Sequence, residues 1–158
     1  MGDLFPRAEQ EATGLGDELP GPEHLLLAAL LMPEDPTARE LLAEFDATAD
    51  DVRAAIGRVH AAALESVGLL TDAGLASSSG GSTRSLKGAF RASGAAQDVF
   101  QRAVGLAKTK PRVPLSAALV LLAVAEQERG TSARALADLG VDRLALVEAA
   151  RARTGRSL

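Results

Sequence analysis

Few residues in this chain have the types and spacing needed for chemistry. There is no cysteine, so there is no thiolate nucleophile and no disulfide. The two histidines, His24 and His60, fall on separate predicted helices, and no His-x-x-x-His spacing exists. No metal site is therefore expected. Glu23-His24 is the one acid–histidine pair set at the mouth of a predicted helix. Glu23 reads either as a first-turn residue favoured by the helix dipole or as a carboxylate that binds a ligand. His24 reads as a structural hydrogen-bonder or a cap to the loop, in preference to a ligand or a base. Gly81-Ser82-Thr83-Arg84-Ser85-Leu86-Lys87-Gly88 lacks the order of a phosphate loop and does not lie between a strand and a helix. There is no Gly-x-Ser-x-Gly elbow. A hydrolase built on Glu23 and His24 is the only catalytic reading left, and nothing else in the chain supports it. The sequence reads as a non-enzyme with no cofactor.

The pair must be positioned by the stretch Pro20-Gly21-Pro22-Glu23-His24-Leu25-Leu26-Leu27-Ala28-Ala29-Leu30-Leu31. Pro22 suits the first helical position, where its missing N–H costs nothing. Leu25 to Leu31 is apolar on every face, which predicts a buried rod over about residues 22 to 32.

Composition narrows the classes. A chain of 158 residues fits one domain, residues 1–158, with a real core. It is 47% hydrophobic but has no Trp, no Tyr and four Phe, so the core must be Leu, Ala and Val. That suits helix-on-helix packing, and the fold class is predicted all-α. A formal charge of −4 argues against non-specific binding to nucleic acid or an anionic membrane. The longest apolar run, Ala117 to Ala125, is too short to span a bilayer, which takes ~20 residues. No secretory leader is visible and cysteine is absent, so the cytoplasm is the expected compartment.

Along the chain, Leu4 to Thr13 reads as a helix ended by Gly14 and Gly16. Thr37 to Phe45 reads as a helix with Glu40 placed for a capping box. Thr48 opens the longest helix, with Val52, Ile56, Val59 and Ala63 as its buried stripe. Ala76 to Thr83 is Ser/Gly-rich and predicts a mobile linker over residues 69–92. A second block then repeats the first. It comprises a helix over Ala95–Lys108, a buried helix over Leu115–Glu126 ended by Gly130, a short helix from Thr131, and a last helix capped by Asp142. Leu144, Val147 and Ala150 should be buried on that last helix, and the tail from Thr154 should fray. Ala38-Arg39-Glu40-Leu41 matches Ala133-Arg134-Ala135-Leu136 at an offset of 95. The chain is thus read as two tandem four-helix repeats, residues 4–68 and 93–154, about a pseudo-twofold axis.

The pattern Ala-Glu-Gln-Glu-Ala at 8–12, Gly-Pro-Glu-His-Leu-Leu-Leu-Ala-Ala-Leu at 21–30 and Ala-Arg-Glu-Leu-Leu at 38–42 resembles the N-terminal repeat domain of Clp ATPases, ClpA and ClpC type. Gly-Thr-Ser-Ala-Arg-Ala-Leu-Ala-Asp-Leu-Gly-Val-Asp at 130–142 is similar to that family's later segment. The resemblance implies a module that engages adaptors and substrates for Clp ATPase and protease components. In ClpC-type members the Glu of each Gly-Thr-Glu-His motif recognises phosphorylated arginine. It also implies an alternative, a stand-alone copy that sequesters a small cyclic peptide antibiotic in an apolar groove. On this reading the peptide or phospho-arginine site is Pro22, Glu23 and His24. Phe90 is either a groove aromatic or an anchor for the linker. Three features depart from the family. Pro22 replaces its Thr. The second repeat, around Pro114-Leu115-Ser116-Ala117, has no Glu or His. The first helix is shorter by roughly two or three turns' worth of residues. One phospho-arginine site is therefore expected to be lost and the other impaired.

Overall fold

The computed structural model describes residues 2–66, 92–109 and 114–156. The predicted linker and Phe90 fall almost wholly outside these residues. Eight helices and no strands are present among them. The first four are α1 (Leu4–Gly14), α2 (Pro22–Leu30), α3 (Thr37–Ala43) and α4 (Ala49–Ser66). The second four are α5 (Gly94–Lys108), α6 (Ala117–Ala125), α7 (Thr131–Asp138) and α8 (Arg143–Arg156). The all-α, two-repeat architecture is as read from the sequence.

The two apolar rods form the centre. All nine residues of α6 are buried, as is every residue of α2 from Glu23 to Leu30. They are both nine residues long and stand 95 positions apart, so Glu23 corresponds to Ala118 and His24 to Leu119. This corrects the sequence-level pairing, which set the motif against Pro114 to Ala117. The rods pack on each other, and each also touches the third helix of the opposite repeat: α3 lies on α6 and α7 on α2. One apolar cluster therefore runs through both repeats. Neither four-helix unit encloses a core of its own, because each rod completes the other's.

Polar contacts close the seam. The first helices of the repeats meet at Phe5 and Phe100, ring centroids 4.6 Å apart in an edge-on pair. The Ser93 N–H donates to the Pro20 carbonyl at 2.9 Å, tying together the entries to α5 and α2. Arg58 on α4 reaches Asp138 on α7 at 2.8 Å. Within the second repeat, Glu126, just past the end of α6, accepts from Arg102 on α5 at 2.8 Å and from Arg151 on α8 at 3.0 Å. Burial pushes the Glu126 carboxyl up, but the two arginines outweigh it and hold it below the ordinary range.

Several local expectations need correction. The predicted capping box at Thr37 and Glu40 does not form. Pro36 is the cap residue of α3, and the Thr37 hydroxyl turns away to Asp35 and α6. On α4 the capping box is real but falls at Thr48 and Asp51. Ala63 is exposed, because only the first half of α4 lies on the core, where Val52 and Ile56 are buried. Leu144 is 63% exposed, and Leu146 takes its place in the core of α8. Gly130 precedes α7 and does not end α6, which stops at Ala125. Helix α8 runs on through Thr154, which is buried and donates its hydroxyl to the Ala150 carbonyl at 2.9 Å, so fraying does not begin there. On the same helix Arg151 pairs with Glu126, and Arg153 lies near Glu40 at 3.4 Å and Glu44 at 3.8 Å.

Candidate functional site

The mouth of α2 is built by a reversal of the chain. Gly16 takes a left-handed φ of +83°, which only glycine adopts without strain, and α1 ends there. The N–H of Asp17 then donates back to the Ala12 carbonyl at 2.8 Å. This closure turns the Asp17 side chain toward the start of α2. Pro22 starts α2 as predicted, with Gly21 extended at the cap position.

His24 holds the loop. Its Nδ1 accepts from the Gly21 N–H at 2.8 Å, as a cap to the loop should. The ring is fully buried, and its Nε2 lies 3.0 Å from Asp17 Oδ2. That contact is close but poorly aligned, so neither atom completes a hydrogen bond. Asp17 Oδ2 also lies 3.9 Å from Nδ1 of His60, which α4 delivers from the other side. The two histidines of the chain, unrelated in sequence, thus converge on one carboxylate oxygen.

Glu23 is 9% exposed. Its carboxylate folds back over Gly21, where an added Cβ would stand 2.7 to 2.9 Å from the carboxylate atoms. His24 Nδ1 lies 3.8 Å away, but that nitrogen is itself an acceptor. Glu23 therefore has no hydrogen bond among the described residues. Gly21→Ala is expected to push the Glu23 side chain outward while leaving stability within about 1 kcal/mol, because the backbone there suits alanine and the obstructing group is the end of a flexible chain. A thermal melt checks the stability, and loss of the wild-type Glu23 orientation in a crystal structure of the variant checks the displacement.

Asp17, Glu23 and His24 each place one potential ligand atom within 4.8 Å of the others. The tautomer argues against a metal. With Nδ1 accepting from Gly21, the ring proton of neutral His24 is on Nε2, which leaves no lone pair for an ion. Nδ1 is occupied by the Gly21 N–H and Nε2 carries the ring proton, so neutral His24 has no free lone pair with which to act as a general base. Two acceptor-only carboxylates around a histidine N–H suit a hydrogen-bond-donating cation.

The mouth of α6 is different. The Ala117 N–H donates to Asp35 Oδ2 at 2.6 Å, the Ala118 N–H to Thr37 Oγ1 at 3.1 Å, and the Leu119 N–H to the Ser116 hydroxyl at 3.4 Å. Asp35 and Thr37 belong to the first repeat, so the first repeat caps the second. Burial pushes the Asp35 carboxyl up. The hydrogen bonds from the Thr37 hydroxyl, the Ala117 N–H and the Thr37 N–H outweigh it and hold it below the ordinary range.

The structure brings Pro22, Glu23 and His24 together at the α2 mouth as the sequence spacing implies, and sets beside them Asp17 and His60, which sequence reasoning did not single out, as it did not single out Asp35 at the α6 mouth. Asp35-Pro36-Thr37 carries an Asx-turn signature, and the Thr37 N–H does donate to Asp35 Oδ1 at 3.1 Å. Its reach across to α6 has no local signal.

Comparison with known families decides the relationship. The profile of the Clp repeat (R) N-terminal domain matches residues 2–139. The chain belongs to the Clp repeat N-terminal domain family. A solved structure, the N-terminal domain of the caseinolytic protease associated chaperone ClpD from Arabidopsis thaliana, superposes with a TM-score of 0.61 over 97% of this chain and 93% of that one. At 19% identity that likeness speaks for the fold alone. A search of curated proteins returned no match. The family match of this Clp repeat domain stops at 139, one residue past the end of α7, yet α8 packs firmly on α6 and belongs to the same core. No helix among the described residues is long and apolar enough to cross a membrane.

Proposed function

We propose that this Clp repeat domain is a non-catalytic receptor for peptide segments of adaptors or substrates, working with Clp protease and chaperone components in the cytoplasm. Family membership supports the association with Clp machinery. The observation that carries the binding role is Glu23, a nearly buried carboxylate with no hydrogen-bond partner among the described residues. A carboxylate so largely screened from water gains from a donor supplied by a partner. Asp17 stands beside it with its own poorly bonded oxygen. The apolar-groove alternative finds less support: the exposed large hydrophobics among the described residues are Leu64 and Leu144, single side chains on α4 and α8.

Fluorescence anisotropy with labelled unstructured peptides tiling a Clp protease substrate tests the receptor role. At least one peptide should bind, and Glu23→Gln should weaken it about tenfold by removing a buried charge-assisted contact. Equal binding by wild type and Glu23→Gln would remove the α2 mouth from the account.

A further inference from the structure

We propose that His24 is a proton switch at the α2 mouth: protonation breaks its bond to the Gly21 N–H, turns Nδ1 to the Glu23 carboxylate, and so withdraws Glu23 from any partner. The switch is a property of the free domain. Its effect on binding rests on the receptor reading above.

The neutral arrangement is incomplete. Nδ1 accepts from the Gly21 N–H at 2.8 Å, so the ring proton lies on Nε2, 3.0 Å from Asp17 Oδ2. Both of these last atoms are buried without a completed hydrogen bond. Glu23 Oε1 stands 3.8 Å from Nδ1.

The protonated arrangement completes it. An imidazolium donates from both nitrogens. A carboxylate already stands beside each, Asp17 at Nε2 and Glu23 at Nδ1. Closing the Glu23 gap by about 1 Å gives a charge-assisted bond of ordinary length. Two donors do not tolerate a separation of 2.8 Å, so the Gly21 N–H must turn away. The proton thus exchanges one neutral bond for two charge-assisted ones, which a fully buried cation requires.

The surrounding charges leave this exchange to Asp17, Glu23 and His60. From α4, His60 approaches the same Asp17 oxygen at 3.9 Å and competes for it when itself protonated. Elsewhere on α1 and α4, Glu11 and Asp50 hold Arg53, and Arg58 is held by Asp138 of α7. Arg7 lies toward the far end of α1, about 10 Å along the helix from Gly14. Arg39 and Glu40 on α3, Asp98 on α5 and Arg134 on α7 are exposed. Helix α6 carries no titratable side chain.

The test follows the imidazole nitrogens and the backbone amides by NMR from about pH 7.5 to about pH 5.5, where imidazoles gain a proton and carboxylates ordinarily do not. A thermal melt at each end confirms the fold. The His24 ring should pass from the Nε2–H tautomer to the imidazolium. Over the same range the Gly21 amide, corrected for the intrinsic effect of pH on exchange, should become about tenfold less protected. In His24→Asn, whose amide oxygen takes the place of Nδ1, Gly21 should stay protected throughout. In His60→Asn the Gly21 change should persist. A His24 ring still neutral at the acid end, an imidazolium with Gly21 still protected, or a Gly21 change that disappears in His60→Asn overturns the switch. The first two outcomes are read on wild type alone, so they decide even if a variant does not fold. A histidine-free peptide from the tiled substrate set separates the switch from the receptor reading. It should bind wild type about tenfold more weakly at the acid end and bind His24→Asn equally at both. Binding that ignores pH while Gly21 switches leaves the switch standing and removes the α2 mouth as the receptor.

Discussion

Leu26→Ala is expected to destabilise the fold by about 3–5 kcal/mol, the upper part of the range for a fully buried leucine. Leu26 is 0% exposed and lies mid-way along α2, which the helices of both repeats surround. Little can move in to fill the space, because the neighbouring α6 is itself packed on every side. The loss should lower the thermal midpoint by roughly 10 °C or more for a chain of this size. Because one apolar cluster serves both repeats, the melt should stay a single transition, with helical and tertiary signals lost together. Two separated transitions would mean that the repeats have independent cores. Leu144→Ala makes the control: at 63% exposure its cost should stay within about 0.5 kcal/mol.

Asp35→Ala should have the second-largest effect. It removes three hydrogen bonds to a carboxylate, two from Thr37 and one from Ala117, and leaves the Ala117 N–H unpaired at the start of α6. Hydrogen bonds to charged groups are individually worth about 1.5–3 kcal/mol, but these share one half-buried group and will not add fully. A loss of about 2–3 kcal/mol follows, or about 5–10 °C in the melt. Asp35→Asn should lose less, since its amide oxygen can still accept. The same carboxylate makes the seam acid-labile. Its folded pKa lies below the ordinary 3.8, and that of Glu126 below the ordinary 4.5. Both therefore contribute stability that is fully present above those ordinary values and is lost as pH falls through the lower folded ones. Denaturant midpoints should hold level from neutral pH to about 5 and drop below about 4. In Asp35→Ala that acid drop should be shallower than in wild type.

The sequence made the rods legible because both are apolar without period over nine residues, and only a buried helix tolerates that. It also made the duplication legible, through the Ala-Arg pairs at 38 and 133. Leu144 and Ala63 were misplaced for a physical reason. Their spacing suits an amphipathic face, but the face is covered only where another helix lies over it. The site was legible in part. Glu23 and His24 stand in a recognisable helix start, and the His24 bond to Gly21 is local. Asp17 reaches that pair only because Gly16 reverses the chain, and His60 only because α4 crosses back over the loop. Asp35 capping α6 is a contact over 82 residues, which no local pattern encodes. Long-range polar contacts of this kind follow from the docking of the repeats, and docking is a property of shapes that a linear pattern does not carry.

Asp35 also bears on why the two mouths diverge. Where α2 presents two poorly satisfied carboxylates, α6 has its free amides filled from within the fold. On the proposed function the first mouth recognises a partner, while the second serves as a joint between the repeats. The most direct measurement is a backbone amide shift map of the isotope-labelled domain titrated with the tightest-binding of the tiled substrate peptides. The account predicts perturbations concentrated at Asp17, at Gly21, Glu23 and His24, and at His60, with Ser116 to Leu119 nearly still. Perturbations centred on Ser116 to Leu119, or on the surface around Leu64 and Leu144 with the α2 mouth unmoved, would contradict it.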